Sequence, residues 1–287
     1  MIGYGYGVSI TPNVAALGEA YDSDASAFFA AASITDTTQK QAVNTLVLSL
    51  KANSLWTKFT ALYPMVGGSA TSHKFNLINP ADTNGAFRLS FAGGWTHSAT
   101  GAKPNGTTGY ADTFINVSTS IANFGTNSHM MFYANSSGSS NGWNIGVGDT
   151  GTGNPIYGLA IKRTVGGPFN VDCYDNGNVG SSNGRMTPAN AVTESEFFMG
   201  VQRASNDRTT YQGRAGVLTE TDSALTVVGT PPSASLYLGA INNTGGLQFF
   251  MGQSCAGASV GASMNDTEAA NYYSAWQAFN TTLGRQI

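Results

Sequence analysis

The sequence predicts an all-β sandwich with a helical segment in front and a single helix behind. Three observations predict it. From Phe75 onward, apolar residues recur with period two in short runs, the mark of half-buried strands. Between the runs lie GTTGY, SSGSSNG, TGTGNP, NGNVGSSNG and NNTGG, all turn chemistry, in a chain with 36 glycines in 287 residues. Finally, NDTEAANYYSAWQAFNTTLG (265–284) is a sharply bounded helix that follows a small-residue strand run.

Residues 1–22 carry Gly, Tyr and Pro without a period and read as an extended arm. The segment 23–62 is a helical lead-in. Asp24 is placed to cap a short helix through Phe28 and Phe29. Asp36 and Gln39 have capping-box spacing ahead of the stripe Val43, Leu46, Val47 and Leu50, with Asn53 as the left-handed stop. The rest, 63–287, is the β-region. Its strand candidates are AFRLSF (86–91), HMMFYA (129–134), WNIGVG (143–148), YGLAIKR (157–163), FNVDCYD (169–175), EFFMGVQR (196–203), RTTYQGR (208–214), SLYLGA (235–240) and LQFFMGQ (247–253). Without crossover helices the sheets must be antiparallel, and without a fixed repeat neither a propeller nor a β-helix fits. In the closing helix Asn265 and Glu268 form a capping box. Tyr272, Trp276, Phe279 and Leu283 share one face, and Gly284 ends it.

Composition excludes several classes. Charged residues are 10% of the chain, the formal charge is −3, and no Lys/Arg run occurs, so phosphate neutralisation and nucleic-acid binding lack a basis. No apolar run approaches the ~18 residues of a membrane span. The N-terminal residues lack the basic and apolar regions of a secretory signal, so folding in the cytoplasm is expected. Cys173 and Cys255 form no metal or redox motif and read as two buried thiols, with a single disulfide as the alternative.

From about 105 to 284 the order of elements resembles the laminin-G-like, concanavalin-A-like jelly roll. NGTTGYADT (105–113) is similar to an early strand of such domains, and EFFMGVQRASNDRTTYQGRAG (196–216) to their paired central strands. SLYLGAINNTGGLQFFMGQSCAGASVGASMNDTEAANYY (235–273) is similar to the closing section. The whole of 24–287 further resembles a module of tailed-bacteriophage structural proteins. That likeness is carried by Asp24, Phe28, Ala31, Ile34, Thr35 and Asp36, then Leu55, Trp56, Lys58, Tyr63, Pro64, Gly67, Gly68, His73, Lys74 and Asn76, and finally Leu283, Gly284 and Arg285. It implies a non-enzymatic virion protein of the fibre, decoration or receptor-binding type, with neighbouring virion proteins and a host surface glycan as partners. The low charge and the arm suggest homo-oligomerisation, a trimer above all. The alternatives are a jelly-roll glycan hydrolase or lyase, and a glycan-binding adhesin outside any virion.

The chemistry of the residues favours binding over catalysis. Glu194-Ser-Glu196, ahead of an apolar strand, and Glu220-Thr-Asp222, near a turn, each lack the third acid of an E-x-D-x-E strand, and both read as a solvated strand edge. Gly257-Ala-Ser259-Val-Gly261 matches G-x-S-x-G by letter but lacks the strand–helix elbow. His73, His97 and His129 are isolated in sequence, so no metal centre is expected. No cofactor is expected either, although Asp149, Asp172 and Asp175 in Gly/Asn-rich loops could offer oxygens to Ca²⁺. Sugar-binding loops set an aromatic platform beside amide and carboxylate groups. Trp143 with Asn141, Asp149, Asn154 and Tyr157 has that composition, and Trp95 is the second candidate. Trp56 and Trp276 read as core.

Overall fold

The computed structural model describes residues 20–123, 125–136, 142–149, 155–160, 170–176, 185–186, 195–204, 206–223, 231–244 and 246–287. The chain runs α1 (Ser23–Ala32), α2 (Thr37–Ala52), β1 (Phe59–Tyr63), α3 (Ala70–His73), β2 (Ser90–Ala92), β3 (Trp95–Ser98), β4 (Gly101–Pro104), β5 (Tyr110–Asn116) and α4 (Val117–Ser120). There follow β6 (Ser128–Ala134), β7 (Ile145–Gly148), β8 (Pro155–Ala160), β9 (Asn170–Asn176), β10 (Arg185–Met186), β11 (Phe197–Ala204), β12 (Asp207–Arg214) and β13 (Val217–Ser223). The last elements are β14 (Ser235–Leu238), β15 (Ile241–Asn243), β16 (Gly246–Gln248), β17 (Cys255–Gly261) and α5 (Asp266–Thr282).

Two sheets result. The central sheet has the order β13-β12-β11-β6-β17-β4-β3, with β1 also paired to β17; the outer sheet has the order β10-β9-β8-β7-β14-β5-β2, with β15 and β16 attached through β7. The described pairings are antiparallel except for β15 on β7. This is the expected β-sandwich of the jelly-roll kind, with its helix at the C-terminal end.

Helix placement makes a third layer and explains why the central strands are buried throughout. On β6, Met130, Phe132 and Ala134 join the cluster between the sheets, while Met131 and Tyr133 join the one shared with α1, α2 and α5. On β11, Phe198 faces the first cluster and Phe197, Met199 and Val201 the second. Period-two alternation thus has an apolar partner on both sides. Trp276, Tyr272 and Phe279 of α5 are at most 1% exposed, as their spacing predicted. The indole lies over Gly257, where an added Cβ would come 2.2 Å from Trp276 Cη2.

The caps follow local chemistry, with corrections. In α5 the Asn265 side chain accepts from the Glu268 amide (2.9 Å), and the Glu268 carboxylate accepts from the Asn265 amide (2.8 Å). Lys58 adds an ion pair to Glu268 at 2.8 Å. Helix α1 is capped by Asp22, not Asp24: its carboxylate takes the Asp24 amide and pairs with Lys51 at 2.7 Å. Asp36 caps α2 by accepting from the Gln39 amide (2.8 Å). Gln39 does not reciprocate; its side-chain oxygen accepts from Gly67 N–H (2.7 Å) and ties the lead-in to the following loop. The left-handed residue after α2 is Ser54 (φ 57), whereas Asn53 has φ −93. Trp56 is half-buried, with the Lys51 ammonium 5.4 Å from its ring.

Candidate functional site

The aromatic rings expected to meet a ligand in the region of Trp143 are buried. Trp143 is 1% exposed and packs with Ile241, and its backbone N–H donates to the Phe249 carbonyl at 2.9 Å. Tyr157 belongs to the cluster between the sheets. Neither ring can stack on a sugar, which corrects both assignments. Asp149 is half-buried at the end of β7, and Asn141 and Asn154 lie outside the described residues. Trp95 remains half-buried on β3. Its indole N–H is shared between the Ala92 and Tyr110 carbonyls (3.1 and 3.0 Å), so this ring is held by backbone.

Other expectations resolve differently. Glu196 is buried ahead of β11, where Gln212 Nε2 donates to its carboxylate (3.3 Å), and is not at a solvated edge. Glu194 lies outside the described residues. Glu220 and Asp222 are exposed on β13, the edge strand of the central sheet, opposite Tyr211 and Thr209, as a solvated strand edge predicts. Asp172 and Asp175 are strand positions on β9, paired with Gly158 and Ile156, so they are not loop ligands. Among the described residues no group of three or more His, Cys, Asp and Glu is gathered for a metal ion. Cys255 is a free, buried thiol, pushed up to about 12 by burial.

The G-x-S-x-G letters turn out to seat a polar relay beneath α5. Tyr272 hydroxyl and Ser259 hydroxyl are 2.8 Å apart, Ser259 and His129 Nε2 are 3.0 Å apart, and His129 Nδ1 is 2.6 Å from the Ala262 carbonyl. A carbonyl can only accept, so His129 Nδ1 carries the proton, Nε2 accepts from Ser259, and Ser259 accepts from Tyr272. Burial holds the imidazole down to about 4. Every member is fully buried, so this serine–histidine pair is structural.

Two accessible regions stand out among the described residues. The first is a cleft of about 440 Å³ at the β3–β4 edge of the central sheet, bordered by the chain's last residues. Thr96, Ser98, Thr100, Asn135, Ser136 and Ser254 line it, with Lys103 beside them and no carboxylate side chain among its lining residues. Strand pairing aligns the donors: Thr96 stands opposite Lys103 and Ser98 opposite Gly101. Beneath it Arg285, one of the lining residues, is 5% exposed. Its guanidinium donates to the carbonyls of Met65, Pro64 and Ala256 at 2.9, 2.7 and 2.9 Å and to the Asn280 side chain at 2.7 Å. Burial lowers it to about 10, so it keeps its charge at neutral pH.

Behind β3, His73 and His97 meet Nδ1 to Nδ1 at 3.0 Å. His73 Nε2 is buried without a partner. An orphaned lone pair is tolerated better than an orphaned N–H, so His73 donates and His97 accepts. Burial first, then His97 and Arg285, holds His73 down to about 3. The pair was invisible in sequence because only the fold brings α3 to β3.

The second region is the solvent side of the outer sheet. On β5, Ala111, Thr113 and Ile115 point inward and are fully buried, whereas Tyr110, Asp112, Phe114 and Asn116 are half-exposed. Tyr110 and Tyr237 stack with ring centroids 5.0 Å apart and planes at 23°. Asp112 pairs in register with Tyr237 on one side and Ser90 on the other. Burial raises its carboxyl above the usual range, against the opposing bonds from the Phe114 amide and the Ser235 side chain.

No family model matches the chain, and no curated protein does. Solved structures do. A mutant of Trypanosoma rangeli sialidase displaying trans-sialidase activity matches with TM-score 0.52 and 11% identity, over 83% of this chain and 39% of that one. Trypanosoma rangeli sialidase in complex with sialic acid matches with TM-score 0.51 and 11% identity, over 81% and 38%. The Ruminococcus gnavus IT-sialidase CBM40 bound to α2,3-sialyllactose gives TM-score 0.41 and 16% identity, over 59% and 94%. At such identities the likeness is one of fold, and this chain spans less than two-fifths of the two sialidases' length. It corrects the sequence-based expectation of a non-enzymatic virion structural protein. Two Trypanosoma rangeli sialidase structures thus share this fold over most of the chain.

Proposed function

We propose that this chain handles glycans, binding a polyhydroxylated ligand in the cleft at the β3–β4 edge. The observation that carries the reading is the lining: hydroxyls and amides around an open volume of about 440 Å³, with Lys103 at its side, charged Arg285 beneath, and no lining carboxylate side chain. The volume falls in the ~300–1,000 Å³ range of small-molecule sites. Such a lining offers hydrogen bonds to sugar hydroxyls, and Lys103 offers a cation to an acidic sugar. Sialic acid, held by one of the sialidases of similar fold, has that chemistry. Loss of Lys103 should then weaken acidic sugars more than neutral ones. The test is a titration of the full chain with sialyllactose and with lactose, for wild type and Lys103→Gln. Saturable sialyllactose binding that falls about fivefold in the variant supports the reading; an exposed ion pair, worth up to about 1 kcal/mol, accounts for that size. No saturable binding of either sugar overturns it.

Hydrolysis of a glycosidic bond is the second reading, favoured by Asp112. A carboxyl raised by burial, standing opposite Tyr237 on the sheet, is the kind of group that donates a proton to a leaving oxygen. Turnover of fluorogenic glycosides, abolished in Asp112→Asn, would establish it; no release by the wild type would exclude it for the glycosides tried. Self-association as a trimer belongs to the same proposal as a source of multivalent binding, and sedimentation of the full chain showing monomer alone would remove it.

A further inference from the structure

Among the described residues, the outer sheet carries a half-exposed aromatic pair that the cleft does not use. A strand with one face on a core exposes every second residue, and β5 does so at Tyr110, Asp112, Phe114 and Asn116. Across the ladder, Ser90, Asp112 and Tyr237 stand in one row on three adjacent strands. Tyr110 reaches Tyr237 diagonally and the rings stack. Neither tyrosine belongs to the hydrophobic clusters described above. Two large rings are thus left half in solvent, although nothing about sheet formation requires aromatics there.

The backbone around Asp112 is specially built. The pairing of β5 with β14 slips between Asp112 and Asn116, a bulge in which Phe114 takes φ 56. A non-glycine residue with that φ is uncommon. Asp112 holds it by accepting from the Phe114 amide at 2.7 Å, and Thr113 locks the next position by donating to the Leu236 carbonyl at 2.7 Å. Bulges re-aim side chains, and this one fixes the carboxylate beside the tyrosine stack. A carboxylate has about four lone-pair sites. With the Phe114 amide and the Ser235 hydroxyl bound, sites remain for a ligand.

We propose that this face is a second sugar site, which stacks the apolar face of a neutral hexopyranose on the outward face of the Tyr237–Tyr110 stack while Asp112 accepts hydroxyl protons from its rim. Rings, a hydroxyl-accepting carboxylate and flanking serines match the two-sided character of a pyranose, which carries C–H bonds on its face and O–H groups at its edge. The carboxylate also repels an acidic sugar, so this face and the Lys103 cleft select opposite ligands. Trp95 lies between them: its indole N–H holds the Tyr110 carbonyl, and the next residue, Thr96, lines the cleft.

The proposal rests on the reading that the chain handles glycans, and the experiment separates the two. The full chain, labelled for amide NMR, is titrated with lactose and with sialyllactose, as wild type, Tyr237→Ala, Tyr237→Phe and Lys103→Gln. Lactose should shift the amides of 110–114 and 235–238. Tyr237→Ala should weaken lactose at least tenfold, Tyr237→Phe about twofold, and Lys103→Gln not at all. Unshifted amides elsewhere in Tyr237→Ala would show that the fold is intact. Lactose shifts confined to the cleft, or equal lactose affinity in Tyr237→Ala, would overturn this site. Binding of sialyllactose without any lactose response would overturn it and leave the cleft standing. Silence with both sugars would overturn both. Should Tyr237→Ala lose the native spectrum, Tyr110→Ala gives the same test.

Discussion

The face of the central sheet beneath the helices and the solvent face of the outer sheet use the same aromatic residues to opposite ends. Under α5, Tyr133 and Trp276 stack at 27°, Trp276 meets Tyr272 and Phe279 edge-on, and every ring is buried. On the outer sheet, Tyr110 and Tyr237 stack at 23° and stay half in water. The covered face bonds some of its buried polar groups internally, through the Tyr272–Ser259–His129 relay and the carbonyl cage of Arg285. The open face leaves carboxylate capacity over. What an aromatic row does here is decided by whether an element closes over it.

Trp276 puts this contrast to its severest test. Trp276→Ala should cost about 3–5 kcal/mol of stability, as truncation of large buried aromatics does. Chemical denaturation checks this, and a loss below about 1 kcal/mol would mean that the helix does not close the face. Acid should strike the same face next. His129 and His73 are held near 4 and 3, below the 6.5 of an unfolded chain. Both are depressed because the folded state keeps them neutral. The unfolded state then binds more protons, and the stability they contribute is complete above pH 6.5 and lost as pH falls toward 4. Each contributes a slope of about 1.4 kcal/mol per pH unit in that window. Unfolding midpoints from pH 7 to pH 4.5 measure it, and His129→Gln should flatten the curve.

Gly257→Ala should cost about 1–3 kcal/mol, because its methyl would press on the Trp276 ring and core overpacking has that magnitude. If the variant matches wild type, the indole has room that the structure does not show. Tyr237→Ala is the smallest expected effect on stability, within about 1 kcal/mol, since the ring stands outside the hydrophobic clusters. A larger loss would mean that the outer face is structural like the covered one.

The two faces also differ in how far sequence could announce them. Helix α5 was legible to the residue, because capping boxes, four–three spacing and a terminal glycine are local signals. Strand alternation was legible for β6, β11, β12 and β14. β13 was missed because VLTETDS alternates weakly, and β16 ended earlier than LQFFMGQ suggested. Asp22 took the cap expected of Asp24, while Lys51, far along the chain, pairs with both carboxylates. The ligand faces were hidden for one reason: each is assembled by register. Trp143 sits in sugar-binding company by composition, yet composition does not say which side of a sheet a ring enters. Tyr110 and Tyr237 lie far apart in sequence and meet only because Leu238 pairs with Ala111. His73 and His97 are likewise joined only by the fold.

Whether the open surfaces of this sandwich bind glycans is decided by glycan-array binding of the full chain beside a Lys103→Gln, Tyr237→Ala double variant of matched unfolding midpoint. Saturable binding to a defined set of glycans is expected of the wild type, with its loss in the double variant. Equal binding by both proteins, or none by the wild type across the array, would contradict glycan binding at these two faces.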